Sequence, residues 1–261
     1  MGLGFIKHIL RKFRSYLLLL FFLTFWQVFV VYIHPKFNSM AYNILPSPWM
    51  VVEMGAELLK KGQLLGHIWD STRRVLIGFS LAVLLGVFLG SLMGSNMALK
   101  RRLKNIIIIL RSIPPFAWIP LGLIWLGVGE AEVIMIIVLS GVFPVAIHTL
   151  YGIDRIDIRF KEAALSLGVK RWQLFFRVVL PGLMPELFLG MRQALGFCWV
   201  VVVGAEMVGS VSGLGYLILD SRNRGLPQMA ILGMILVGVI GFNMDRALIK
   251  IKKLFLPWDY T

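Results

Sequence analysis

Three ionisable residues interrupt otherwise apolar stretches of this 261-residue chain: Arg111, Arg192 and Glu206. A charge in such a setting either snorkels to a polar surface or marks a polar path through an apolar medium. Arg111 opens the segment Arg111-Ser-Ile-Pro-Pro-Phe-Ala-Trp-Ile-Pro120, in which Pro114, Pro115 and Pro120 each lack a backbone donor. Carbonyls near residues 110–116 therefore lose helical partners, and in lipid such groups are tolerated only against protein or a water-filled cavity. Arg111, Pro114, Pro115, Trp118 and Pro120 are thus candidates to line a translocation path; a proline kink satisfied by neighbouring helices is the alternative. Both arginines lie near one set of helix ends, where snorkelling also accounts for them. Glu206 precedes Gly209-Ser-Val-Ser-Gly-Leu-Gly215 and is either a contact at the mouth of the path or an exposed acid.

Bond-making chemistry has little to stand on. The four histidines (8, 34, 67 and 148) have no metal-ligand spacing, and a single cysteine, Cys198, excludes an intramolecular disulfide or a Cys-based metal site. Cys198 reads as packing, and His148 as hydrogen-bonded packing or a path residue. No G-x-x-x-x-G-K-[ST], H-E-x-x-H, G-x-S-x-G or dinucleotide glycine fingerprint is present. The chain is expected to be no enzyme, with no cofactor and no metal of its own.

The elements that position these residues follow from composition. The chain is 58% hydrophobic and 15% charged, against about 45–50% and about 25% in soluble domains. One soluble core of this size cannot hide that much apolar surface, so lipid is the expected solvent. Six runs, 15–35, 75–99, 105–129, 133–153, 187–211 and 225–244, are long enough to cross it, each near the roughly 20 residues a bilayer requires. The first follows a basic start but is longer than a secretory signal core and ends in His34-Pro35-Lys36, so it reads as a retained helix. An all-α, six-span membrane protein is predicted: an N-terminal stretch 1–14, a single transmembrane domain 15–250 and a tail 251–261.

A net charge of +14 from 27 Lys and Arg suggests nucleic acid until the positions are read. With the N-terminus inside, 18 basic residues fall on internal segments and 7 on external ones, so the charge is a topology signal and no nucleic-acid partner is expected. Both termini are predicted cytoplasmic. Outside, Ser47 reads as a cap and Pro48 as the first residue of an amphipathic helix reaching about Leu65, lying on the membrane surface. Gly78, Ala82, Gly86, Gly90 and Gly94 recur every fourth residue on the second span, a seam for close helix packing within the chain or between subunits.

The longest internal segment, 154–186, carries the pattern of most consequence. Phe160, Ala164 and Leu167 share one helical face, Gly168 supplies a stop, and Trp172, Phe175, Phe176 and Val179 form the apolar face of a second helix that Pro181 is expected to end. Held just below the membrane, such an element either floats on headgroups or inserts into a partner's groove.

Here the residues resemble a known family. Glu162-Ala163-Ala164, three residues, Gly168, nine residues, Val178, one residue and Leu180-Pro181 are similar to the EAA loop of membrane subunits of bacterial ATP-binding-cassette importers. Ile44-Leu-Pro-Ser-Pro48, Arg74-Val-Leu-Ile-Gly-Phe79, the Arg111 segment, Leu126-Gly-Val-Gly-Glu130, Ala205-Glu206, Gly213-Leu-Gly215 and Pro257-Trp258 look like the nitrate, sulfonate and taurine branch. The resemblance implies a type I importer permease fold in the bacterial inner membrane. It implies a homodimer bound to two cytoplasmic ATPase subunits, which hold ATP and Mg, and fed by a soluble or lipid-anchored binding protein. It also implies that Glu162, Ala163, Ala164, Leu167, Gly168, Val169, Leu180 and Pro181 form the coupling surface. The expected cargo is a small anionic solute; permeases for pyrimidine precursors or flavins, or an ATP-independent transporter or channel, are the alternatives.

Overall fold

The computed structural model describes residues 17, 20–22, 24–33 and 45–257. The described chain is helical: α1 Pro48–Lys60, α2 Gln63–Ser95, α3 Met97–Ser112, a 3-10 turn Pro115–Trp118, α4 Ile119–Leu126, α5 Glu130–Arg155, α6 Ile158–Ser166, α7 Leu180–Gly209, α8 Leu214–Arg224 and α9 Pro227–Phe255. Among the described residues four helices are long and apolar enough to cross a membrane, and the bent pair Met97–Ser112 and Pro115–Leu126 makes a fifth candidate. The predicted first span falls partly outside the described residues; Leu20–Tyr32 is a shorter apolar helix.

The chain divides into two compact units, Met1–Leu65 with Leu217–Ile235, and Gly66–Tyr216 with Leu236–Thr261. In the first unit, Ser47 caps α1, its Oγ accepting from the Met50 amide, and Pro48 takes the first turn where no donor is needed. Lys61 lies 2.5 Å from Glu57, and this hydrogen bond and charge hold the Glu57 carboxyl below its ordinary value. One face of α1, Val51, Gly55 and Leu58, is buried, and a Cβ on Gly55 would sit 3.4 Å from Leu232, while Trp49, Val52 and Leu59 are exposed.

In the second unit α5 is the central helix, with 67% of its most apolar window buried against 28% for α2. Its neighbours meet it through missing side chains. A Cβ at Gly78, Gly86, Gly90 or Gly94 of α2 would lie 2.5, 2.6, 2.5 or 2.6 Å from Ile137, Val145, Thr149 or Ile153 of α5. The small-residue seam therefore faces a helix of the same chain, and Ala82 meets it at Gly141. From the other side, Gly152 faces Leu183 and Gly190 faces His148, which brings α7 as close.

Two boundaries differ from the sequence reading. Pro181 does not end the helix before it: Arg171–Leu174 runs through a π turn, Phe175–Val179, into α7. The Leu180 amide donates to the Phe175 carbonyl five residues back, and this wider turn makes room for a proline ring without breaking the chain's helical course. The C-terminal helix α9 continues to Phe255 and so takes in residues 251–255, assigned above to the tail, because Lys252 and Lys253 favour its last turn.

Candidate functional site

The 154–186 loop is built from local signals. Asp157 caps α6, its carboxylate accepting from the Arg159 amide at 2.9 Å. At the other end the Gly168 amide donates to Leu165 O at 2.9 Å and the Val169 amide to Ala164 O at 3.2 Å. These are the two bonds of a Schellman motif, which needs a left-handed residue, and Gly168 supplies it at φ +79°. Gln173 then accepts from the Lys170 amide at 3.1 Å, half of a capping box for the next helix.

The stop leaves Glu162, Ala163, Leu167 and Gly168 exposed, with Ala164 and Val169 half-buried. Phe160 and Leu167 are 67% and 84% exposed, far from the norm for large apolar side chains. The π turn also splits the stripe expected of the second helix. Val179 is buried and Phe175 half-buried, whereas Trp172 and Phe176 face out. Leu180 and Pro181 follow directly, at the start of α7.

At this loop end, polar contacts tie the helices together. Lys100 bonds Asp154 at 2.7 Å, and Lys161 donates to Ile153 O at 3.2 Å. Arg155 pairs with Glu186, which also lies 3.3 Å from His148 Nδ1, while His148 Nε2 lies 3.3 Å from Gln193. His148 is thus hydrogen-bonded on both ring nitrogens. Arg192 is held by Asp245 at 2.6 and 2.9 Å, so it is paired within the protein.

The proline segment breaks as its composition dictates. Ile113 is extended before Pro114, as a pre-proline residue must be, and α3 and the turn leading into α4 meet at 90°. Phe116 lies over Gly204, where no side chain would fit. Arg111, Pro115 and Trp118 line a cavity of about 100 Å³ with Ser140, Phe143 and Phe197, among others. Pro114 and Pro120 are exposed beside it. The Ser140 hydroxyl is donated to Ile137 O at 2.7 Å, so Arg111, among aromatic walls, is the polar group this compartment offers a small anion.

Glu206 is not in that cavity and is not exposed. It is wholly buried and accepts from Ser71 Oγ at 2.8 Å, Arg74 Nη1 at 2.8 Å and the Gly215 amide at 2.9 Å. Arg74, itself 3% exposed, also donates to Ser212 O and Oγ, at 2.8 and 2.9 Å. The Leu214 amide donates to Ser71 Oγ at 2.7 Å and the Gly213 amide to His67 Nδ1 at 3.0 Å. Gly213, at φ +109°, leaves room for the carboxylate, and Gly215 for the Val203 carbonyl. Glu130, paired with Arg73, joins through Arg74 at 3.6 Å. The result is a charged latch that fixes the 210–213 turn against α2.

The sequence reading missed Ser71 and Arg74 as partners of Glu206, and it missed Glu132. Left between the predicted spans 105–129 and 133–153, Glu132 lies in the first turn of α5, wholly buried, with neither carboxylate oxygen hydrogen-bonded among the described residues. It packs against Gly209 and Gly122. The signal was available: 132, 133, 136, 137 and 140 mark one helical face, all buried. Buried acceptors without donors cost about 1–3 kcal/mol. Glu132→Met, of similar length, is therefore expected to raise the thermal midpoint in detergent; an unchanged or lower midpoint refutes this cost.

Residues 82–249 match the family described as binding-protein-dependent transport system inner membrane component, and the chain belongs to it. It is 37% identical over 217 residues to SsuC of Escherichia coli, named for aliphatic sulfonate transport, covering 83% of this chain and 82% of that one. It is 33% identical over 224 residues to the nitrate import permease protein NrtB of Synechocystis sp., covering 82% and 81%. Its fold matches a chain of the inward-facing MetNI methionine ABC transporter, with TM-score 0.54 and 19% identity, covering 70% of this chain and 94% of that one. The protein is accordingly a multi-pass, non-catalytic permease subunit of an ATP-binding-cassette importer, a class that works with an ATPase and a binding protein.

Proposed function

We propose that the chain forms the path for a small oxyanion of the sulfonate, taurine or nitrate class. It acts as a homodimer in the bacterial inner membrane with both termini cytoplasmic. Two ATPase subunits bind ATP and Mg and meet the loop around Glu162–Gly168; a soluble or lipid-anchored protein delivers the solute outside. ATP binding closes the ATPase pair, the docked loops move with it and the bundle opens outward; hydrolysis resets it.

The observation that carries the solute class is Arg111 beside a cavity of about 100 Å³ with no carboxylate in its wall. A volume that small suits a headgroup of a few atoms, and the names of the sulfonate and nitrate relatives support the same chemistry. The exposed Phe160 and Leu167 support ATPase docking. The test is uptake by proteoliposomes holding the permease, its ATPase and its binding protein. A charge-assisted contact contributes about 1.5–3 kcal/mol, so Arg111→Gln is expected to lower sulfonate or nitrate uptake about tenfold or more, with the ATPase still bound. Uptake of neutral heterocycles alone, or an Arg111→Gln protein that carries the anion as well as the parent, overturns the reading.

A further inference from the structure

A second cavity, of about 410 Å³, lies beneath the 154–186 loop and takes no part in the path described above. Ser91 from the last turns of α2, Ile153 from the end of α5, Lys161 and Leu165 from α6, and Phe175 and Val179 from the π turn contribute to its wall. The size falls within the range of about 300–1,000 Å³ in which ligand sites are found. Its walls are mostly apolar, with Ser91, Ser95 and Lys161 among them, and the Ser95 hydroxyl is donated to Leu92 O at 2.9 Å. Ser91 Oγ is buried with no hydrogen-bond partner among the described residues, and Lys161 spends one donor on Ile153 O.

Among the described residues no carboxylate lines the cavity or pairs with Lys161; the nearby Asp154 is bonded to Lys100. A purely polar solute would leave the apolar wall bare, and a purely apolar one would leave the ammonium and the hydroxyl unsatisfied. The cavity therefore calls for an amphiphile with an anionic head. Its place decides the source. It lies where the 33-residue α2 ends at Ser95, immediately before Lys100, Arg101, Arg102 and Lys104, a basic cluster of the kind that attracts anionic headgroups.

We propose that this cavity binds an anionic phospholipid of the adjacent leaflet, with its phosphate on Lys161 and Ser91 and its glycerol and upper acyl carbons against Ile153, Leu165, Phe175 and Val179. Lys161 and Leu165 belong to α6, the helix that also carries Glu162 and Ala163, so the lipid braces that helix from beneath. An effect of the lipid on ATP-driven uptake would rest on the proposed function; the binding itself does not.

The test measures lipid retention by the full chain in complex with its ATPase, using native mass spectrometry with phosphatidylglycerol and phosphatidylcholine of matched acyl chains. Phosphatidylglycerol is expected to bind at least tenfold tighter than phosphatidylcholine. Lys161→Gln should abolish that preference, Leu165→Trp should lower retention of both lipids by filling the cavity, and Lys60→Gln, exposed at the end of α1 and outside both the cavity and the basic cluster, should change neither. Thermal midpoints within a degree or two of the parent's show that the variants are folded. Equal retention of the two lipids, or an unaltered preference in Lys161→Gln, overturns the proposal. Displacement of phosphatidylglycerol by millimolar inorganic phosphate overturns the lipid assignment in favour of a soluble anion. Loss of ATPase binding or of uptake in the parent protein, with lipid selectivity intact, would count against the proposed function and leave the lipid site standing.

Discussion

Arg74→Met is expected to destabilise the permease by about 3–5 kcal/mol, because removing one partner of a buried ion pair strands the other. Glu206 is 0% exposed and Arg74 3%, so neither can recover water without opening the bundle. The loss also removes both Arg74 contacts to Ser212, leaving its carbonyl only the Ser210 hydroxyl. A companion variant separates the charge from the packing. Adding Glu206→Gln to Arg74→Met removes the stranded charge and keeps an oxygen for Ser71 Oγ and the Gly215 amide, and it should restore most of the lost stability. Thermal unfolding of the two proteins in one detergent is the measurement. A double variant no more stable than Arg74→Met would mean that the latch acts through shape alone.

The second large effect is expected at the loop. Leu167 is 84% exposed and lies just past the last turn of α6, so Leu167→Asp should leave the thermal midpoint of the isolated permease unchanged. In the complex the same carboxylate would be buried against an ATPase groove without a partner. Central apolar anchors contribute about 2 kcal/mol or more, so association should weaken about thirtyfold or more and ATP-driven uptake should fall with it. Retention of the ATPase in mild detergent and uptake by the same preparation are the two readings. If Leu167→Asp binds the ATPase as the parent does, the loop meets headgroups instead. Deleting Glu162–Gly168 is the harsher form of the same test: transport should be uncoupled while membrane insertion persists.

Much of this protein is legible in its residues because the signals are local or periodic. Runs of about 20 apolar residues declare spans whatever surrounds them, since no other structure satisfies the backbone in lipid. Asp157, Gly168 and Gln173 write the loop's start, stop and restart in hydrogen bonds that reach no further than five residues. Pro114 and Pro115 in succession remove two neighbouring donors and hold Ile113 extended, so this break is written locally. The small-residue period of Gly78 to Gly94 announces a close partner, although it does not name α5.

What the residues could not decide depends on contacts between distant parts of the chain. Glu206 reads equally as exposed or as a gate contact until Arg74, 132 positions away, is brought to 2.8 Å. Glu132 looks like a connection residue because its cost arises from Gly209 and Gly122 closing over it. The pattern of α1 shows that it is amphipathic but not that Leu232 covers Gly55. Pro181 reads as a stop because a wider hydrogen-bonded turn leaves no mark in the sequence. Composition, periodicity and caps fixed the solvent, the helices and the loop, since each depends on energies within a turn or along a span; the tertiary structure alone decided which charges are paired and which faces are covered, since burial is a property of neighbours.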